Sequence, residues 1–416
     1  MKIEYLHDHF LKSTGVSTDS RKIIRGCLFF ALKGERFNGN EYAEQAITMG
    51  ASYAVVDDPT LQPNDHMILV DDVLQTLQQL ANYHRHQLTC PVLGITGSNG
   101  KTTTKELINV VLSKSFKICC TKGNLNNHIG VPLTILSADL DTEFLIVEMG
   151  ANHQNEINYL CDIADIDYGL ITNIGKAHLE GFGSFEGVIS AKKELYDFIE
   201  KKRGTIFINK NDGLLTSLSN HLNRIEYDNV VHDGESPFAS VDFKSLVIQS
   251  KLIGNYNGSN IKAACTIGDF FGVSLNDIKD AIEEYAPQNN RSQFIVTEKQ
   301  NSLILDAYNA NPSSMRESIQ SFNRISNDKK IVILGDMLEL GKESITEHQH
   351  LIEMIEAKQL DAILIGHEFN QCKHGFKQFL NTEDCLQWIQ ENPIAETFIL
   401  LKGSRGIRLE QLRPFL

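Results

Sequence analysis

The stretch Gly94-Ile95-Thr96-Gly97-Ser98-Asn99-Gly100-Lys101-Thr102-Thr103-Thr104 decides the fold of this chain, because it joins a short apolar run to a helical one. Residues 92–96 have the pattern of a buried strand, and the pattern after the glycines is helical as far as residue 112. Glycines allow backbone N–H groups to turn toward phosphates, and the N-terminus of the following helix adds a positive dipole. In such a loop Lys101 reaches the terminal phosphates and Thr102 ligates magnesium. The stretch predicts a nucleotide-binding loop made by Gly97, Ser98, Asn99, Gly100, Lys101, Thr102 and Thr103.

The glycine spacing of this loop departs from the strict pattern GxxxxGK[ST], because Ile95 stands five residues before Gly100. The alternative interpretation is a glycine-rich turn that only links a strand to a helix. The Gly-Lys-Thr ending and the strand-helix setting favour nucleotide binding. The loop alone leaves a kinase, a nucleotide-dependent switch and a ligase open.

Composition limits the classes of protein that carry this loop. The 416 residues are 42% hydrophobic and 22% charged, as in ordinary globular proteins, and the formal net charge is −14. That charge argues against a nucleic-acid or membrane-surface binder, which needs a basic face. The eight cysteines lack a CxxC pair, and the first ten residues lack the apolar core of a signal peptide. We expect a soluble cytoplasmic protein with reduced thiols.

Strand and helix patterns alternate in the region around the loop. Because such alternation is typical of a mostly parallel sheet covered by helices, we expect its ligands at the carboxyl ends of the strands. The predicted strands of this region are residues 92–96, 118–120, 144–148, 168–172 and 205–209.

The flanking regions each show α/β patterns of their own. Short apolar runs precede the loop, and a helical pattern over residues 73–88 connects them to it. Four more apolar runs follow, and the last three lead soon to Gly335, Gly366 and Gly403, which is typical of a Rossmann-like unit. We therefore predict an α/β fold with three domains. They are a small N-terminal α/β domain (1–88), a central P-loop-type domain with a mostly parallel sheet flanked by helices (89–288), and a C-terminal Rossmann-like domain (289–416).

Candidate metal ligands follow two of the predicted strands. Glu148 ends one strand and His178 comes after another, so both could stand at the edge of the sheet that carries the loop and hold magnesium. Taken singly, a carboxylate there is usually a solvated cap and a histidine is usually a packed surface residue. Lys192 and Lys193 lie on a predicted helix, and their chemistry alone indicates a solvated face.

A second pair of histidines, His348 and His350, invites a metal interpretation as well. Residues two apart on a helix point to different faces, so we predict that this pair is structural.

Longer motifs give a resemblance to a known family. TGSNGKTTTKE (96–106), GNLNNHIGVPLT (123–134), EMGAN (148–152) and ITNIGKAHLEGFGSFEGVISAKKE (171–194) resemble the Mur ligase family. STDSRKIIRGCLFFALKGERFNGN (17–40) resembles that family's domain for the UDP end of its precursor, and LKGSRG (401–406) resembles its third domain. The resemblance spans nearly the whole chain and implies an ATP-dependent, ADP-forming amide ligase.

The resemblance also implies roles for individual residues. It makes Lys192 a carbamylated lysine that ligates magnesium with His178, while Thr102 and Glu148 serve a second ion. Lys101, Glu148, His178 and Lys192 are then the catalytic residues, with ATP and Mg²⁺ as cofactors. Further implied contacts are Asn124, Asn257, Asn260, Arg291 and Asp306 for ATP, and Ser20, Arg21, Asn309, Lys402, Ser404 and Arg405 for the other substrates. Tyr256 departs from the family pattern, because histidine is common at that position.

Two further motifs, DAYNANP (306–312) and LGDMLELG (334–341), resemble the members that join D-alanyl-D-alanine to UDP-N-acetylmuramoyl-tripeptide. They imply a role in peptidoglycan precursor synthesis through an acyl phosphate. Because an acyl phosphate is hydrolysed by water, we expect the domains to close on the substrates. We also expect a monomer with no nucleic-acid or membrane partner. The alternative is a related ligase that adds a single amino acid to the same precursor, or glutamate to folate. Whether the third residue of the tripeptide is lysine or diaminopimelate is open at this point.

Overall fold

The computed structural model describes residues 2–62, 64–232, 236–288 and 290–416. Across these residues the chain forms three larger sheets in three successive stretches, each accompanied by helices. The α/β class predicted from the sequence is confirmed. No helix within the described ranges has the length and apolar character needed to span a bilayer.

The first sheet is small and parallel. Leu28, Phe29 and Phe30 are all fully buried, as expected for a strand covered on both faces. Its strands, in spatial order, are Val16–Ser17, Leu28–Phe30, Tyr53–Val56 and Met67–Leu69. It is accompanied by the helices Ile3–Leu11 and Ala43–Thr48, the 3-10 helix Gly39–Tyr42, and the antiparallel pair Lys33–Gly34 and Phe37–Asn38.

The helix Val73–Arg85 connects the first sheet to the second, as predicted. It begins at Asp72, whose side chain accepts a hydrogen bond from the backbone N–H of Gln75. At its other end Arg85 pairs with Asp167 across 2.8 Å and donates to the carbonyl oxygen of Ala164. The apolar side chains of this helix join a core that extends from the first sheet into the second.

The second sheet confirms the predicted parallel arrangement. In spatial order its strands are Asn223–Tyr227, Thr205–Asn209, Tyr168–Ile171, Val92–Thr96, Phe144–Glu148 and Ile118–Cys120, and every pair is parallel. The edge strand Asn223–Tyr227 is half-exposed and polar in part, so it lacked the apolar run by which we found the other five. The antiparallel hairpin of Phe238–Phe243 and Leu246–Ile253 was also not predicted.

Helices cover the second sheet on both faces. Their apolar sides contribute to two separate clusters of buried residues, one of which continues into the first sheet. The helices are Lys101–Leu112, Gly130–Ile135, Glu156–Ala164, Leu179–Phe182, Phe185–Lys202, Gly213–Leu218, Asn257–Phe270 and Leu275–Glu284.

The third sheet is parallel except at one edge. In spatial order its strands are Gln293–Val296, Ser302–Asp306, Phe398–Lys402, Lys330–Gly335, Asp361–Ile365 and Lys377–Phe379, and the first of these runs antiparallel. It is accompanied by Pro312–Arg324, Ser344–Ala357, His367–Asn370 and Thr382–Glu391, and by the 3-10 helices Gly341–Glu343, Arg405–Ile407 and Leu409–Phe415. This arrangement agrees with the Rossmann-like prediction.

The carboxyl ends of the second and third sheets face one another. Asn311, the N-cap of Pro312–Arg324, donates from its side chain to the Asn99 side chain of the phosphate loop across 2.6 Å. Lys176 of the second stretch pairs with Glu347 of the third at 2.7 Å. The predicted boundary between them at residue 289 lies outside the described residues, and the division into 1–88, 89–288 and 289–416 remains a prediction.

Candidate active site

A cavity of about 1200 Å³ lies where the second and third sheets meet. Its wall contains residues from the ends of strands in both sheets, as the strand-end argument predicts. Many predicted site residues line it, namely Ser98, Asn99, Gly100, Lys101, Thr102, Thr103, Asn124, Glu148, His178, Asn257, Asn260, Arg291, Asp306, Asn309, Lys402 and Arg405.

Other predicted residues lie outside the wall of this cavity. Gly97 of the loop and Lys192 are both buried in the protein interior. Ser20 is buried in the first stretch, and its exposed neighbour Arg21 pairs with Asp19 at 2.8 Å. The Ser404 hydroxyl accepts a hydrogen bond from the backbone N–H of Leu338 across 3.0 Å. Their proposed contacts with substrates stay predictions.

The backbone of the phosphate loop requires two of its glycines. Gly97 has φ 145° and Gly100 has φ 78°, and both values are disfavoured for residues with a side chain. A Cβ on Gly97 would lie 2.0 Å from the Thr172 hydroxyl, and one on Gly100 would lie 2.7 Å from Asn260 Oδ1. These close approaches bring the loop against the neighbouring strand and helix.

Lys101 follows the loop as the first residue of the helix Lys101–Leu112. Its ammonium donates to the carbonyl oxygens of Gly97 and Ser98 at 2.5 and 3.3 Å, which folds the side chain back over the loop. Burial lowers the pKa of Lys101 to about 8, and the charge of Glu148 opposes that shift. The amine therefore lies in the position where a lysine contacts phosphates held by the loop.

Glu148 is buried at the end of its strand, beside the loop. Its Oε1 accepts hydrogen bonds from Thr102 Oγ1 at 3.2 Å and from Asn126 Nδ2 at 2.8 Å. Its Oε2 is buried without a hydrogen-bond partner, and the ammonium of Lys105 lies 3.6 Å away. A buried carboxylate oxygen left without a donor suits a cation ligand.

Sequence reasoning did not select Asn126 and Lys105 as site residues. Asn126 lies within the quoted motif GNLNNHIGVPLT and Lys105 within TGSNGKTTTKE, so both were visible in the resemblance. Their contacts with one carboxylate join a turn, a helix and a strand, which no local pattern predicts.

His178 has φ 52° and precedes the short helix Leu179–Phe182. Its imidazole Nδ1 pairs with the carboxylate of Glu339, which belongs to the LGDMLELG motif of the third stretch. The backbone carbonyl of Glu339 also accepts a hydrogen bond from the N–H of Glu180 across 3.4 Å. The motif that distinguishes branches of the family thus contacts the predicted metal ligand, a contact that sequence reasoning missed.

Lys192 contradicts the solvated-face interpretation that its chemistry suggested. The residue is only 2% exposed, and its ammonium lies 5.6 Å from the centre of the Phe182 ring. Burial, and after it the nearby charge of Lys101, lower the pKa of Lys192 to about 7. Its neighbour Lys193 is half-buried on the helix surface and pairs with Asp197. The lowered pKa gives Lys192 access to the neutral amine form near neutral pH.

The predicted adenine contacts already bond to one another. Asn260 donates from Nδ2 to Asn257 Oδ1 at 2.8 Å and accepts at Oδ1 from the Thr104 hydroxyl at 3.0 Å. Tyr256, where histidine is common in the family, bonds through its hydroxyl to Ser292 at 3.1 Å. These bonds connect the phosphate-loop helix and the start of the third stretch to the helix Asn257–Phe270.

No cluster of three or more His, Cys, Asp or Glu side chains suited to a metal exists in the part of the chain that the structure describes. His348 is buried, accepts from the N–H of Met337 and donates to the carbonyl of Ser344, whereas His350 is exposed. As predicted, the two histidines point to different faces, one toward the interior and the other toward solvent.

Comparison of the sequence with known proteins shows that the chain belongs to the Mur ligase family. Models of the Mur ligase family match residues 12–85 (catalytic domain), 95–268 (middle domain) and 290–405 (glutamate ligase domain). The UDP-N-acetylmuramoyl-tripeptide--D-alanyl-D-alanine ligase of Bacillus subtilis (strain 168) is 35% identical over 96% of this chain and 92% of its own length.

Solved structures agree over the same extent. MurF from Acinetobacter baumannii has a TM-score of 0.86 at 28% identity, covering 99% of this chain and 97% of that chain. The MurF ligase from Thermotoga maritima in complex with ADP has a TM-score of 0.87 at 25% identity, covering 98% and 97%.

Proposed function

Because the chain belongs to the Mur ligase family, we propose that it is an ATP-dependent, ADP-forming ligase that joins D-alanyl-D-alanine to UDP-N-acetylmuramoyl-tripeptide. This activity is a step of peptidoglycan precursor synthesis. The observation that carries the proposal is the shared cavity, which joins the phosphate loop to residues of both branch-specific motifs, Asp306, Asn309 and Glu339. The Bacillus subtilis relative, which is named for this activity, supports the same conclusion.

The proposed reaction has two steps. The terminal carboxylate of the tripeptide attacks the γ-phosphorus of ATP, which forms an acyl phosphate and releases ADP. The amine of D-alanyl-D-alanine then attacks the acyl carbon, loses a proton and displaces inorganic phosphate. Phosphoryl transfer depends mainly on positioning and charge neutralisation. The loop and Lys101 would bind the phosphates, with Asn124 beside them.

Magnesium fits the residues at the loop. The buried Glu148 has an oxygen without a hydrogen-bond partner, and Thr102 lies 3.2 Å from its other oxygen, so together they would hold one ion. When bound, Mg²⁺ neutralises phosphate charge. We propose His178 and a carbamylated Lys192 for the second ion. The burial of Lys192 and its lowered pKa support carbamylation, which requires a neutral amine.

The carbamate is tested by replacing Lys192. Lys192→Ala should abolish ligation, and an added short-chain carboxylic acid should partly restore it by supplying the missing carboxylate. Lys193→Ala, on the neighbouring position, is the matched control and should keep ligation, because that side chain pairs with Asp197 at the surface. Full activity of Lys192→Ala would remove the proposed role of the carbamate.

ADP release tests the activity itself. Purified protein should release ADP with the tripeptide precursor and D-alanyl-D-alanine together, and much less with single amino acids or with folate and glutamate. The single-amino-acid and folate alternatives predict the opposite preference. Running the lysine and diaminopimelate precursors side by side identifies the third residue. Nucleotide binding without ligation of any amine would indicate a switch or binding module instead.

Further parts of the proposal concern the whole chain. We propose the three-domain division at residues 88 and 288, a monomer, and a cytoplasmic location where ATP is supplied. Ser20 and Arg21 would contact the UDP end of the precursor, with Lys402, Ser404 and Arg405 near the reaction centre. Light scattering of the purified protein measures the oligomeric state, and a mass twice that of the chain would refute the monomer.

A further inference from the structure

The ring of Tyr308 contacts two arginines in the wall of the cavity. The guanidinium carbon of Arg291 lies 3.7 Å from the ring centre and that of Arg405 lies 5.4 Å from it. Both distances are within the range of a cation–π contact. One aromatic side chain of the DAYNANP motif thus brings together two cations that are more than a hundred residues apart in sequence.

Among the described residues no ion pair reaches Arg291 or Arg405, whereas the nearby Lys402 pairs with Asp306 at 2.5 Å. All of these side chains line the cavity. An anion in the cavity beside this ring is attracted by both guanidinium groups. Their planar donors suit phosphate or carboxylate oxygens.

The position of Arg291 indicates which anion it binds. Arg291 and Lys101 line the same cavity, and Arg291 is close enough for its positive charge to act on the Lys101 ammonium. Lys101 is the lysine of the phosphate loop. An anion that contacts Arg291 is therefore near the phosphates held by that loop.

The backbone around Arg291 is also held in place. Its neighbours Asn290 and Ser292 have φ values of 57° and 48°, in the left-handed region that a serine seldom occupies. The Ser292 hydroxyl bonds to the half-buried Tyr256 at 3.1 Å, which anchors this turn to the second stretch. A turn kept in an uncommon conformation by its surroundings is typical of a functional site.

We propose that Tyr308 is a positioning residue that holds Arg291 and Arg405 together as the binding site for the terminal phosphate of ATP. This inference rests on the proposed ligase activity, in which the terminal phosphate of ATP is the group that activates the carboxylate. The ring orients the guanidinium groups and makes no bond to the phosphate. It adds no chemical step to the reaction.

The test compares nucleotides that differ only in the terminal phosphate. Tyr308→Leu removes the ring, and Tyr308→Phe is the matched control because no described residue bonds to the Tyr308 hydroxyl. Binding of a non-hydrolysable ATP analogue and of ADP is measured by calorimetry with magnesium present. We expect Tyr308→Leu to bind the ATP analogue about tenfold more weakly than wild type, and to bind ADP with an affinity within about twofold of wild type. Tyr308→Phe should match the wild type for both.

Other outcomes overturn the proposal. Equally weakened binding of ADP and of the analogue would mean that Tyr308 has a general structural role. Unchanged binding of both would mean that the ring does not position the arginines. A raised KM for D-alanyl-D-alanine with unchanged analogue binding would assign the pair to the dipeptide carboxylate. If Tyr308→Leu fails to fold, Arg405→Gln is measured against the same two nucleotides, with the same expectation. Nucleotide binding needs no acceptor amine, so this result is independent of whether the proposed ligase activity is found.

Discussion

The buried carboxylate of Glu347 links the two halves of the cavity, and its removal should favour an open arrangement of the chain. Lys176 of the second stretch lies 2.7 Å from Glu347, and Arg316 of the third lies 3.2 Å from it. The Glu347 side chain is 2% exposed, whereas those of Lys176 and Arg316 are 42% and 35% exposed. Burial raises the pKa of Glu347, but the bond to Lys176 and the two positive charges outweigh it, and the net pKa is lowered.

The expected size of the effect follows from these exposures. A fully exposed ion pair contributes ~0.2–1 kcal/mol, and a hydrogen bond to a charged group contributes ~1.5–3 kcal/mol. Because Lys176 is more than one third exposed, solvent screening places the contribution near the lower of these ranges. We estimate about 1 kcal/mol for Glu347→Gln, which corresponds to roughly a fivefold smaller ratio of closed to open molecules.

Small-angle scattering with an ATP analogue and the precursor measures this ratio. Glu347→Gln should need higher ligand concentrations to reach the compact state, and Lys176→Gln should have a similar effect. The double variant should be little worse than either single one, because the two side chains form one contact. The nearby exposed Glu343→Gln is the control and should behave as the wild type. Additive effects of the two substitutions, or unchanged scattering in Glu347→Gln, would refute the role of this contact.

Two further predictions concern stability and the loop. His7 and His84 are buried and bonded across 3.0 Å, and burial lowers the pKa of both. Their contribution to stability is complete above the unfolded pKa of about 6.5 and is lost as pH falls below it. The free energy of unfolding, measured by chemical denaturation, should therefore decrease less between pH 7.5 and pH 5.5 in His7→Gln than in wild type. An equal decrease in the two proteins would contradict this. Gly97→Ala places a Cβ 2.0 Å from the Thr172 hydroxyl and should weaken ATP binding at least tenfold. Gly375→Ala is the control and should not weaken it, because that residue lies outside the cavity wall and has open space around its Cβ. Equal affinities of Gly97→Ala and wild type would show that the loop adapts.

Local sequence patterns were sufficient to predict most strands of the second and third sheets. The strand Val92–Thr96 and the helix Lys101–Leu112 have the predicted bounds, because both are set by neighbours in sequence. The strand Asn223–Tyr227 escaped prediction because it lies at a sheet edge, where half its side chains face solvent and no apolar run is needed. The hairpin Phe238–Phe243 and Leu246–Ile253 alternates instead of forming a continuous apolar run.

The residues of the candidate site also include some that local sequence predicted and others that it did not. The chemistry of Lys192 by itself indicated a surface residue, and only the resemblance to a family reversed that interpretation. Its burial depends on the packing of the helix Phe185–Lys202 against the sheet, which no residue near it in sequence reveals.

By itself the sequence determined the strand, the glycine loop and the helix around residues 94–104, since these signals are consecutive and act over a few ångströms, and it predicted phosphate binding there. Its motifs also determined the family. Only the tertiary structure decided what meets the loop: Glu339 at His178, Asn311 at Asn99, and two arginines at Tyr308. These contacts join side chains far apart in the chain, and they depend on how two sheets face each other, which is a property of the packed molecule.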